Sequence, residues 1–123
     1  MSAYCSPFGP VVLLEKLIYI ESPTASDLFP IGWTHYPGIV RRVTAETDAG
    51  TVDFNITKRL VLSDSFTGGT NIWTSDKQAT TSIMTQTTFQ SPRVAPDTGF
   101  WFDASAIASS PTKIFVTILL EIA

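Results

Sequence analysis

Residues 114–122, IFVTILLEI, carry apolar side chains on both faces of the strand they spell. Strand side chains alternate. Ile114, Val116, Ile118, Leu120 and Ile122 therefore share one face, and Phe115, Thr117, Leu119 and Glu121 share the other. The first face is wholly apolar and rich in β-branched residues; the second is about half apolar. Such a strand cannot be a solvated edge. It belongs inside a sheet, over a core, with part of its second face covered as well. Upstream, GFWFDASAI (99–107) reads as a strand with Phe100 and Phe102 toward the core and Trp101 on the outer side. A small-residue loop joins the two, so the reading is a closing hairpin.

The remaining segments repeat this pattern with more polar faces. VVLLEKLIYIE (11–21), bracketed by Pro10 and Pro23, is a strand. Val12, Leu14, Ile18 and Ile20 share a face with Lys16, and Val11, Leu13, Leu17 and Tyr19 share one with Glu15. DLFPIGWTHYPG (27–38) is a short irregular strand cut by Pro and Gly. GIVRRVTAETD (38–48) has two mixed faces; Ile39, Val43 and Ala45 are expected inward, although Arg41 shares their side. TVDFNITKRLVL (51–62) places Val52, Phe54 and Ile56 inward and Thr51, Asp53, Asn55 and Thr57 outward. A Gly-rich loop (63–70), a short strand (71–76), a polar strand anchored by Ile83 and Met84 (80–89) and a Pro-punctuated connection (91–99) follow. Residues 1–10, with Pro7, Gly9 and Pro10, read as an extended arm, and residues 11–123 as a single domain. About eight short strands with turn signals every eight to twelve residues predict an all-β antiparallel sandwich or barrel.

Composition narrows the chemistry. Charged residues make up 15% of the chain, against about 25% in typical soluble proteins, and the net charge is −3. No basic cluster exceeds Arg41-Arg42, which argues against a nucleic-acid surface. Cys5 is the single cysteine and His35 the single histidine, so neither an internal disulfide nor a cysteine-based metal cluster is available. There is no apolar run of membrane-spanning length. The opening MSAYCSPFGP lacks the features of a signal peptide, which predicts synthesis in a cytoplasm.

Catalytic constellations are sparse. His35 sits in WTHYPG with no G-x-S-x-G elbow to pair with. The carboxylates fall mostly at strand ends and turns, where they satisfy backbone donors. The Gly-rich loop lacks the lysine of a phosphate loop. Asn55-Ile56-Thr57 matches a glycosylation acceptor but lies within a strand. No catalytic residue, metal ligand or cofactor is predicted.

Candidate contact residues stand out more clearly. Trp33, Tyr36, Trp73 and Trp101 are aromatic residues of the kind that concentrate at interfaces. Leu13, Leu17, Phe115 and Leu119 lie opposite the better core faces of their strands, and Tyr4 and Phe8 sit in the N-terminal arm. One core cannot bury both faces of both strands, so the chain is expected to form a homo-oligomer or to dock tightly on another protein.

The segments AGTVDFNITKR (49–59) and GFWFDASAIASSPTKIFVTILLEI (99–122), with DLFPIGW between a proline turn and the GTVDFNI strand, carry a resemblance. In pattern the chain resembles small β-sandwich domains of tailed-phage virion proteins, found as free capsid decoration (cement) proteins and as modules on tails and fibres. The resemblance implies a jelly-roll-like sandwich, no enzymatic activity and assembly on a virion. A decoration protein would be made in the host cytoplasm and sit on the capsid surface. It would bind the major capsid protein, most simply as a homotrimer. A tail or fibre module would instead read a host glycan or protein with Trp33, Tyr36 and Trp73. The resemblance carries no site residue over position by position.

Overall fold

A computed structural model describes residues 2–6, 9–60 and 69–122, with side chains from residue 12 onward. The fold is an antiparallel two-sheet sandwich of jelly-roll-like architecture. The described residues form eleven strands, several only two or three residues long, where about eight were expected. One sheet holds β1 (Ser2–Ser6), β2 (Gly9–Glu21), β11 (Lys113–Ile122), β4 (Gly38–Thr47) and β8 (Met84–Gln86) in that order, with β9 (Arg93–Val94) also on β4. The other holds β3 (Leu28–Thr34), β10 (Thr98–Ala108), β5 (Thr51–Leu60) and β6 (Thr70–Asn71), with β7 (Lys77–Ala79) also on β5.

The strand that constrains the sequence most, β11, lies in the middle of its sheet between β2 and β4. Its predicted core face is the observed one: Ile114, Val116, Ile118 and Leu120 are buried. They meet Phe100, Phe102 and Ala104 of β10 and Val52, Phe54 and Ile56 of β5 in one apolar cluster. Phe54 stacks on Phe102 with ring centroids 5.3 Å apart.

The closing hairpin does not form. β10 pairs with β3 and β5, whereas β11 pairs with β2 and β4, so the connection crosses from one sheet to the other. Both strands own a continuous apolar face. Opposite sheets let those faces meet across the core; a hairpin would set them side by side. The crossover turns through Ser109 and Ser110, both in the left-handed region (φ 61° and 54°), before buried Pro111. Asp48 ties it down: its carboxylate accepts the backbone N–H groups of Thr112 and Lys113, each at 2.9 Å, and the Thr112 hydroxyl. These bonds hold the Asp48 carboxyl at about 2, well below its ordinary value, with the Thr112 hydroxyl the largest cause.

The mixed faces of β4 are resolved by a bulge. Leu119 pairs with Arg42 but Leu120 with Val40, which leaves Arg41 as an extra residue. One extra residue inverts the alternation. Val40 is therefore buried with Val43 and Ala45, while Ile39, expected inward, sits opposite Glu121 and is partly exposed.

Three further expectations change. The outward positions of β5 are not solvated: Asn55, Thr57 and Arg59 are buried, and residues 70–71, paired beside β5, lead into a segment that bonds to its side chains. The Asn55 amide donates to the Trp73 carbonyl at 3.0 Å and to Asp76 at 3.1 Å, and the Thr57 hydroxyl donates to Asn71 at 3.0 Å. Ile83, expected as an anchor, is 61% exposed, and its neighbour Met84 packs on the core. Finally, residues 2–6 of the predicted arm pair in register with β2, from Ser2 opposite Leu13 to Ser6 opposite Gly9. Pro7 and Phe8 lie outside the described residues. Pro10 ends up at a position opposite Cys5 near the turn, where a missing N–H interrupts little of the ladder.

Candidate interaction surface

The outer face of the β2–β11–β4 sheet collects four of the predicted contact residues. Strand register fixes the rows. Phe115 lies between Tyr19 and Glu46; Thr117 between Leu17 and Thr44; Leu119 between Glu15 and Arg42; Glu121 between Leu13 and Ile39. Leu17 is 61% exposed and Tyr19 is 53% exposed, while Leu13, Phe115 and Leu119 are partly exposed. Apolar residues alternate with charges of both signs. Glu15 and Arg42 flank Leu119 and approach to 3.9 Å, and the Arg41 guanidinium donates to Glu121 at 2.6 Å. The bulge that makes Arg41 an extra residue is what brings it beside Glu121. A shallow hollow of about 180 Å³ opens beside Tyr19, Phe115 and Glu46, floored by Ile114 and rimmed by Asp48 and Lys113. An apolar centre edged by charged groups is the anatomy of a protein interface. β1 extends this sheet beyond β2, with Tyr4 at the position opposite Val11.

A second exposed cluster lies at the end of β3. Trp33 is 46% exposed and Tyr36 is 61% exposed. The His35 ring stands edge-on to Trp33 with centroids 4.1 Å apart. Its Nδ1 is 2.8 Å from an Asp97 carboxylate oxygen, and both side chains face solvent. Leu28 and Phe29 continue an exposed apolar line along this edge strand. The geometry makes an aromatic platform, not a reaction centre.

The other two tryptophans are placed differently. Trp73, a predicted contact residue, is 3% exposed and belongs to the core. It stands edge-on to Phe54, stacks on Phe89, and donates its indole N–H to the Thr88 carbonyl at 3.2 Å. Its burial follows from residues 70–72 pairing beside β5, which brings Trp73 onto Phe54 and which local alternation does not reveal. Trp101 is on the outer side of β10, partly exposed, with the Arg59 guanidinium 5.2 Å from its ring centroid. Arg59 has no role in the sequence reading; a lone arginine late in an alternating strand carries no signal. Among the described residues, no group of three His, Cys, Asp or Glu side chains could hold a metal ion, and no helix is long and apolar enough to cross a membrane.

No family model matches the chain. No curated protein matches it. Among solved structures it is similar to a chain described as "Cyanophage Pam1 capsid asymmetric unit", at 17% identity and a TM-score of 0.44, over 92% of this chain and 85% of that one.

Proposed function

We propose that the chain is a phage virion structural protein acting as a capsid decoration protein. It assembles as a homotrimer on the major capsid protein at the capsid surface. The observation that carries this reading is the open outer face of β2, β11 and β4. Its apolar residues are Leu13, Leu17, Tyr19, Phe115 and Leu119, and Glu15, Arg42, Arg41 and Glu121 lie among them. A face with both charge signs is complementary to another copy of itself, which favours self-association. Apolar area removed from water contributes roughly 25 cal/mol per Å², and many symmetric copies multiply a modest gain per subunit. The absence of enzymatic activity belongs to the same proposal.

A second reading is favoured by the Trp33–His35–Tyr36 platform: a tail or fibre module contacting a host glycan or protein. Copy number separates the two. Quantifying the protein against the major capsid protein on a gel of purified virions should give hundreds of copies per particle for a decoration protein. A handful per particle refutes decoration and supports the tail module. Sedimentation tests the surface itself. The wild-type chain should run as a trimer and Leu17→Asp as a folded monomer; a wild-type monomer at all concentrations sinks the self-association.

A further inference from the structure

On the opposite sheet from the open face, the end of β5 holds a hollow of about 230 Å³. Lys58, Arg59, Leu60, Thr70, Arg93, Ala95 and Thr98 line it. Three of these seven are cationic and none is acidic, in a chain whose net charge is −3. Arg59 is only 7% exposed. Its Nε and Nη1 are buried and have no hydrogen-bond partner among the described residues. Its guanidinium lies over the Trp101 ring, but a ring face supplies no hydrogen-bond acceptor of carboxylate or phosphate strength. A buried guanidinium with unpaired donors is costly, and such groups in folded proteins are normally paired.

The walls hold the site open toward an incoming ligand. The Lys58 ammonium donates to the Ser91 hydroxyl at 2.8 Å and to the Arg93 carbonyl at 2.5 Å, which leaves one of its three donors uncommitted by these bonds. Partial burial pushes Lys58 below the usual lysine range, as expected for a cation without a counter-charge. The Thr98 hydroxyl donates to the Ala95 carbonyl at 2.7 Å, fixing the turn that forms one wall. At Gly69 the backbone closes against the stem of Arg59: a Cβ there would lie 2.7 Å from Arg59 Cγ. The arginine is thereby held in place from the side.

From this geometry we infer that the hollow is a binding site for a phosphate group, held by Arg59 with Lys58 and Arg93. Three cations match the charge of about −1.5 to −2 on a phosphate monoester better than the single charge of a carboxylate. Planar guanidinium groups are suited to its oxygens.

The test uses the full chain and titrates inorganic phosphate, glycerol phosphate and acetate at constant ionic strength. It is followed by thermal melting and by the NMR resonances of the arginine Nε–H groups. Saturable stabilisation by phosphate with a shifted Arg59 resonance is expected, and acetate should act more weakly. Glycerol phosphate matching inorganic phosphate assigns the site to a phosphate carried on a larger molecule; inorganic phosphate alone assigns it to the free ion. Arg59→Met should abolish the effect. Arg93→Ala, a change at an exposed residue that leaves the core intact, should weaken binding about tenfold. Equal stabilisation of wild type and Arg59→Met would mean general stabilisation of the fold by a surface-excluded salt and would overturn the proposal. Stronger binding of acetate than phosphate would overturn it too.

Discussion

Two phenylalanines on opposite faces of the sandwich give the sharpest test of the surface argument. Phe54 is fully buried and touches Phe102 and Trp73, with ring centroids at 5.3 and 5.8 Å. Truncation to alanine in such a setting costs about 3–5 kcal/mol. For 123 residues, an unfolding entropy of about 2.1 cal/mol/K per residue amounts to about 0.26 kcal/mol/K. A loss of about 4 kcal/mol therefore lowers the melting temperature by about 15 °C. Phe115 sits on the outer face beside Tyr19 and Glu46 and is partly exposed. In an isolated subunit its truncation removes a cross-strand pair and some area, about 1 kcal/mol, or about 4 °C. Urea unfolding followed by circular dichroism at low protein concentration measures both, with m unchanged for a valid comparison. At high concentration the Phe115→Ala deficit should grow, because association stabilises the folded chain by mass action. A Phe54→Ala loss below 1 kcal/mol would mean that the facing of β5 is inverted. Equal losses for the two variants in dilute solution would mean that Phe115 serves the subunit's own fold, and the open face would lose its meaning.

Acid should find the crossover first. The Asp48 carboxyl is held at about 2 against an ordinary 3.8, so its contribution to stability is complete above about pH 5 and is lost as pH falls through about 2. Asp48→Asn should therefore flatten that part of the stability–pH curve measured by urea titration; an unchanged acid limb would show that the Thr112 and Lys113 bonds do not discriminate the charged form. Acrylamide quenching of variants retaining one tryptophan should rank Trp33 as accessible and Trp73 as protected; easy quenching at Trp73 would contradict its place in the core beside Phe54 and Phe89.

What could be read from the sequence was what alternation alone determines. The core faces of β11, β5 and β10 follow from period two, and Phe54, Phe102, Ile114, Val116 and Ile118 are buried as that period requires. The departures share a different cause. A bulge at Arg41 inverts parity, and nothing in GIVRRVTAETD marks which residue is surplus. The partners of β10 and β11 depend on which sheet each joins, a non-local choice that a short loop with Ser109, Ser110 and Pro111 does not announce. The burial of Trp73 and Arg59 depends on non-local contacts, Trp73 with Phe54 and Arg59 with Trp101, which alternation does not encode. Among the contact residues, Leu17 was legible as lying opposite the core face of its strand, whereas alternation left open which of Trp33, Tyr36, Trp73 and Trp101 are exposed.

The two sheets treat their outer faces in opposite ways. On β5 the outward positions are Asp53, Asn55, Thr57 and Arg59, all suited to water, yet Asn55, Thr57 and Arg59 are buried. On β2 and β11 the outward positions include Leu13, Leu17, Tyr19, Phe115 and Leu119, and here Leu17 and Tyr19 stay largely exposed. A chain selected only for the stability of its isolated subunit would do the reverse, since covering apolar area stabilises while covering polar groups requires each to be repaired by a hydrogen bond. The repairs are present on β5: Asn55 bonds to Trp73 and Asp76, and Thr57 to Asn71. On the β4 side, the described strands β8 and β9 extend the sheet edge without folding over its face. Charges of both signs interrupt the apolar rows, Arg42 near Glu15 and Arg41 on Glu121, which keeps the free subunit soluble and sets a register for whatever docks. The exposed face is therefore better explained by a protein partner than by incomplete packing, and Leu17→Asp is the change that separates the two: it should cost association and leave the fold.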